Sequence, residues 1–190
     1  MLHLRVLGSV APFMGSEDEE FTTLFQDFYP SLCRFLECLL GGRAALAQDL
    51  AQESFLQLHR TAWSELPPGE ARFWLYRVAR NFAINEFRKG QTRYRLFEQV
   101  VQVMRPRKPN PEEEYEAQER HQLVLEMLQS LPEDQRTALL LREQEQLSYR
   151  EIGKVLNISE SKVKIDIFRA RTTLRERWAR RTQASGAGGH

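Results

Sequence analysis

The chain has 190 residues, of which 42% are hydrophobic and 28% charged, with eleven phenylalanines and three tryptophans. That is enough apolar material for packed cores and excludes a wholly disordered chain. No stretch approaches the roughly 18 uninterrupted apolar residues of a bilayer span, so no membrane insertion is expected.

The net charge of +1 hides segregation: residues 1–90 carry nine Lys/Arg and eleven Asp/Glu, and residues 91–111 carry five and one. Residues 112–146 carry three and ten, and residues 147–190 ten and four. A basic C-terminal block on a near-neutral chain predicts that only part of the surface meets a polyanion.

The first sixteen residues, MLHLRVLGSVAPFMGS, imitate a signal peptide, but Arg5 and Pro12 interrupt the apolar part. Residues 1–19 are therefore expected to be a flexible extension. From residue 21 to 40, Phe21, Leu24, Phe25, Phe28, Leu32, Phe35, Leu36 and Leu39 recur at helical spacing. Pro30 predicts a break or kink within that run. Cys33 and Cys38 cannot build a disulfide framework and lack zinc-finger spacing, so they are read as buried, reduced thiols, which suits a cytoplasmic compartment.

Helical periodicity continues over residues 46–62 with Leu46, Leu50, Phe55 and Leu58, and over 72–89 with Trp74, Leu75, Val78 and Phe82. No alternating strand pattern appears. The predicted fold class is all-α: two small helical domains, at residues 20–90 and 115–178, joined by an extended linker at 91–114. The linker assignment rests on RPRKPNP, where Pro106, Pro109 and Pro111 cannot continue a helix. Leu123, Met127 and Leu128 predict a helix ending near Ser130. Pro132, Glu133 and Asp134 then suit the first turn of a helix reaching about Glu145. Residues 179–190 are expected to be a flexible tail.

The most specific local pattern is LSYREIGKVLNISESKVKIDIFRAR, residues 147–171. Ser148 and Glu151 have capping-box spacing. Ile152, Val155 and Leu156 face inward, Gly153 permits close approach of a second helix, and Asn157 falls where the chain must turn left-handed. Ser159 caps that second helix, which Val163 and Ile167 anchor. A short helix, a tight turn and a longer helix form a helix-turn-helix, whose second helix can enter a DNA major groove. Lys162, Lys164, Arg169 and Arg171, then Arg175 and Arg177, supply donors for phosphates and base edges.

Nearer the amino terminus, Asp49, Gln52 and Glu53 form an acidic-polar edge opposite Leu50, Phe55 and Leu58. In FWLYRVARNFAINEFRK, residues 73–89, Arg77, Arg80, Asn81, Arg88 and Lys89 share a helix with Phe73, Trp74 and Tyr76. Cations and amides among aromatics suit single-stranded nucleic acid or flipped bases. The alternative makes the aromatics core and the arginines surface.

Four strings in this order, DLAQESFLQLHR, FWLYRVARNFAINEFRK, LPEDQRTALLLRE and the helix-turn-helix, resemble the extracytoplasmic-function group of the sigma-70 family, bacterial transcription initiation factors. The resemblance places region 2 at about residues 20–90 and region 4 at about 115–178. It implies that Asp49, Gln52 and Glu53 dock on the clamp of core RNA polymerase, with the β and β′ subunits as partners. Arg80, Asn81, Asn85, Arg88 and Lys89 would read and melt the −10 element of promoter DNA. Arg142, Tyr149, Lys162, Lys164, Phe168, Arg169 and Arg171 would hold the −35 element. The linker would run through polymerase toward the RNA exit path. The family pattern further implies an anti-sigma factor as partner, a monomer when free, a cytoplasmic location, and no catalytic residues, metal or cofactor.

Two departures from the family are visible. SELPPGEA stands where relatives carry a base-holding aromatic, with Glu65 or Leu66 at about that place. Ile165 and Asp166 stand where relatives commonly have Ser and Arg. Asp166 would repel phosphates unless it accepts from cytosine or pairs with a neighbouring arginine. Two rivals are a helix-turn-helix regulator that never joins polymerase and an enzyme. Against the enzyme, His3, His59, His121 and His190 are scattered and no phosphate-binding glycine loop exists.

Overall fold

The computed structural model describes residues 16–61, 66, 67, 69–97 and 112–186. The expectations for residues 1–15, for the RPRKPNP stretch, for the tail beyond Gly186 and for most of the loop before Gly69 lie outside the described residues.

All regular structure among the described residues is helical: α1 (Ser16–Leu39), α2 (Ala44–Arg60), α3 (Glu70–Phe97), α4 (Glu112–Gln129), α5 (Glu133–Glu143), α6 (Tyr149–Leu156) and α7 (Glu160–Gly186). α1, α2 and α3 pack as an amino-terminal bundle, and α4 to α7 form a second. Several bounds differ from expectation, α1 starting at Ser16 inside the expected 1–19 extension and α4 at Glu112 inside the expected 91–114 linker. α1 runs unbroken through Pro30, because Leu32, Phe35, Leu36 and Leu39 just beyond it are all buried, and their packing outweighs one lost backbone hydrogen bond. α3 continues past Gly90 to Phe97, since QTRYRLF contains no proline and one glycine does not end a helix. α7 likewise runs on to Gly186 through ARRTQAS, which holds no breaker.

Inside the amino-terminal bundle, Phe25 lies against Tyr29 and Phe55, with ring centroids 4.7 and 4.9 Å away. Phe35 meets Tyr76 edge-on at 5.2 Å. Each buried aromatic or leucine contributes about 1.5–3 kcal/mol relative to exposure. Phe73 and Tyr76 belong to this core and Trp74 is half-buried against it, so these three aromatics are packing groups rather than open stacking platforms. Cys33 and Cys38 are free thiols, half-buried rather than fully buried. Burial pushes both thiols up from their ordinary pKa, which disfavours the reactive thiolate.

The carboxy-terminal bundle follows local rules closely. Ser148 Oγ accepts from the Glu151 N–H at 3.3 Å, and Glu151 Oε2 accepts from the Ser148 N–H at 2.7 Å, closing the capping box. Asn157 adopts φ 55° and ψ 47°, the left-handed turn between α6 and α7. A Cβ on Gly153 would lie 2.8 Å from the Ile158 carbonyl oxygen, so only glycine lets that turn pass so near α6. Ser159 Oγ accepts from the Lys162 N–H at 3.2 Å, starting α7.

The two bundles share one buried cluster, running from Leu32 and Phe35 through Tyr76 to Leu140, Leu147 and Ile152. Polar groups complete the joint. The last carbonyls of α1 lack helical partners, and the second bundle supplies them. Gln129 Nε2 donates to the Cys38 and Leu39 oxygens at 3.2 and 3.1 Å, and Arg136 Nη1 donates to Leu39 O at 2.9 Å. Arg136 is 8% exposed, and its guanidinium also faces the Phe87 ring at 5.7 Å. A cation at a helix C-terminus is favourable. Tyr76, itself 1% exposed, donates its hydroxyl to Glu145, and burial raises its pKa far above the usual tyrosine value.

Candidate polymerase and nucleic-acid interfaces

Three separate surfaces hold the residues singled out in the sequence. On α2, Asp49, Gln52 and Glu53 are all exposed, while Ala51, Phe55 and Leu58 on the opposite side are buried. Gln52 Nε2 reaches the Tyr29 hydroxyl at 3.4 Å. Leu56, absent from the sequence reading, is 51% exposed on this same edge. Its position seven residues after Asp49 was the available signal, because i, i+3, i+4 and i+7 share one helical face.

On α3 the expected set divides between two faces. Asn81, Asn85, Arg88 and Lys89 are exposed, and positions 81, 85 and 88 follow one stripe. Lys89 Nζ lies 2.7 Å from Glu86 Oε1. Arg80 is not part of that stripe. Its side chain is 16% exposed and its Nη2 lies 2.7 Å from Glu133 Oε1 and 2.5 Å from Asp134 Oδ1, both in the first turn of α5. Arg77, on the same flank, donates through Nε to the Val155 carbonyl at 3.3 Å and through Nη2 to the Lys154 carbonyl at the C-terminus of α6. Lys154 in turn pairs with Glu70 at the start of α3. The acidic block at residues 112–146 thus contributes carboxylates to a contact between the bundles.

The third surface belongs to α6, α7 and the end of α5. The Tyr149 ring lies between two cations, with the Arg142 guanidinium 5.2 Å and Lys164 Nζ 5.6 Å from its centroid. Arg142 Nη1 also donates to Leu147 O at 2.8 Å, which fixes its position. Lys164 lies 2.9 Å from Glu160 Oε1, and that hydrogen bond raises its pKa and keeps it charged. Arg171 Nη2 pairs with Glu143 at 2.5 Å. Phe168 and Arg169 are exposed. Asp166 does not face solvent. Its side chain is 2% exposed and both oxygens accept from Lys162 Nζ, at 2.6 and 2.5 Å. Lys162 is thereby tethered, and the acidic residue is withdrawn from the outer face.

No group of three or more His, Cys, Asp or Glu that could hold a metal ion occurs among the described residues. None of the described helices is long and apolar enough to cross a membrane.

Comparison with known proteins identifies the family. Residues 24–93 match the family model for sigma-70 region 2, and residues 121–174 match that for sigma-70 region 4. The ECF RNA polymerase sigma factor SigW of Bacillus subtilis is 30% identical over 174 residues, covering 85% of this chain and 90% of that protein. The ECF RNA polymerase sigma factor SigE of Mycolicibacterium smegmatis is 32% identical over 138 residues, covering 72% of this chain; the match spans about half of that longer relative, 53%. Among solved structures, the fold resembles the sigma factor RpoE co-crystallised with the anti-sigma factor NepR from Bartonella quintana. The TM-score is 0.63 at 22% identity, over 83% of this chain and 96% of that one. With both regions present in order and a relative matched over nearly its whole length, the chain belongs to the extracytoplasmic-function group of the sigma-70 family of RNA polymerase sigma factors.

Proposed function

We propose that this chain is the specificity subunit that binds core RNA polymerase, delivers it to a promoter and helps open the DNA there. The observation that carries the reading is the presence of three exposed polar faces, on α2, α3 and α7, in the two regions that match the family. Asp49, Gln52 and Glu53, with Leu56 as an apolar anchor, would meet polymerase. Asn81, Asn85, Arg88 and Lys89 would take the unpaired −10 strand, where capturing bases offsets an unstacking cost of a few kcal/mol. Lys164, Phe168 and Arg169 would enter the major groove at −35, and Arg142 and Tyr149 would steady the backbone. Polymerase supplies the chemistry, and this chain contributes binding only. Its place of action is then wherever polymerase works, the cytoplasm.

Arg80 contributes to the −10 contact only after α5 leaves it, so full engagement of the −10 strand requires the bundles to part. Domain parting also suits control by an anti-sigma partner. The neighbouring RpoE structure holds an anti-sigma factor, which supports assigning a partner of that class here.

The test is to add the full chain to sigma-free core polymerase on genomic DNA from its own host and to sequence the RNA 5′ ends. Discrete start sites that require the chain are expected. Tight duplex binding by the chain with no affinity for core polymerase would instead favour a regulator that acts alone.

A further inference from the structure

The outer face of α7 carries two neighbouring large apolar side chains that are exposed among the described residues. Ile165 is 47% exposed and Phe168 68% exposed. Three residues apart on a helix, they lie side by side. Around them Ser161, Lys164 and Arg169 are exposed donors. The acid within this segment, Asp166, is folded inward and held by Lys162. A carboxylate is the side chain suited to accept from the cytosine amino group, and here it cannot reach the groove. What remains is an apolar pair bordered by hydrogen-bond donors, with the Glu160 carboxylate at the start of α7 engaged by Lys164.

The major groove presents such a face with a limited set of complements. Purine N7, guanine O6 and thymine O4 accept hydrogen bonds, matching Lys164 and Arg169. The apolar projection in that groove is the thymine 5-methyl group. We propose that Ile165 and Phe168 are specificity-determining residues of the −35 contact, which select thymines at neighbouring base pairs through their 5-methyl groups. The inference rests on the reading of α7 as the −35 helix and adds to it the base chemistry that this particular chain prefers. Ile165 is the residue that sets this chain apart, because a serine there would present a hydroxyl where this helix presents a methyl-bearing chain.

The test uses core polymerase carrying the full chain. Duplexes are selected from a promoter library randomised across the −35 element, and the winners are resynthesised with deoxyuridine in place of each thymidine, which removes only the methyl group. Enrichment of thymine at neighbouring positions is expected. Each deoxyuridine there should weaken holoenzyme binding roughly fourfold, the worth of one buried methyl-sized group. Ile165→Ala should erase the penalty at one position and keep it at the other, with an unchanged thermal melt because the side chain is exposed. Absence of thymine enrichment, equal binding of the deoxyuridine duplexes, or an undiminished penalty in Ile165→Ala would each overturn the assignment. If no duplex is enriched at all, the −35 reading itself fails and this inference falls with it.

Discussion

The cations of α3 and those of α7 have the same chemistry and opposite circumstances. Arg77 and Arg80 are spent inside the protein, on two carbonyls at the end of α6 and two carboxylates at the start of α5. Lys164 and Arg169 are exposed beside Phe168, with Lys164 engaged in a surface pair with Glu160 and over the Tyr149 ring. A charge count along the chain treats both helices alike. What separates them is that the helix termini of the second bundle offer α3 partners of opposite polarity, whereas the outer face of α7 stays exposed among the described residues. The proposed duplex-reading face is therefore available in the closed chain, while one flank of the proposed strand-capturing helix is withheld.

The contrast can be broken most severely at Arg136. Arg136→Ala strips the α1 C-terminus of a charged donor and leaves Leu39 O and Gln129 short of a partner, so a loss of about 3 kcal/mol is expected. Urea unfolding followed by fluorescence measures it, and a loss indistinguishable from a surface substitution would contradict the role of the joint. Next comes Glu133→Lys with Asp134→Lys, which sets like charges against Arg80 and should cost closure about 2 kcal/mol. Small-angle scattering should report a larger radius of gyration. Affinity for a single-stranded −10 oligonucleotide should rise, with duplex binding unchanged.

Charge reversal on the open faces sharpens the same contrast. Lys164→Glu should weaken promoter binding about tenfold while sparing polymerase binding, by removing one cation from a polyanion contact. Asp49→Lys with Glu53→Lys should do the reverse, read by pull-down with core polymerase. Loss of both activities in either variant, with circular dichroism unchanged, would end the proposed division.

The smallest effect is expected at Ser148→Ala, about 1 kcal/mol from loss of the cap. The Ser148 backbone N–H holds the Glu151 carboxyl below the usual glutamate range. Its folded pKa being depressed, this stabilisation is complete above the ordinary glutamate value and is lost as pH falls toward the folded one. A melt series across that acid window should show wild type losing more stability than Glu151→Gln.

How much of this was legible in advance depends on the distance over which each contact acts. The helix-turn-helix was readable almost atom by atom, because its cap, its left-handed Asn157 and its close-approach Gly153 obey rules spanning a few residues. The fate of Asp166 was also within reach. Val163, Ile167 and Ala170 are buried, and residue 166 lies on their side of the helix. The expectation placed Asp166 outside because an acid among basic residues invited an electrostatic reading before a periodic one. Leu56 was missed for the converse reason, an apolar residue on a face judged by its charges. The joint could not be read. Tyr76 meets Glu145, Arg80 meets Glu133 and Arg136 meets Leu39 across 69, 53 and 97 positions, and no local period encodes such pairings.

The continuous apolar cluster beneath that joint has a calorimetric consequence. While closed, the two bundles cannot lose side-chain packing independently, so heat should melt them in a single cooperative step. Once parted, each bundle keeps only its own interior, and the trace should divide into two transitions at lower temperatures. Polymerase, by holding the chain extended, would have to replace that lost mutual support with its own surface.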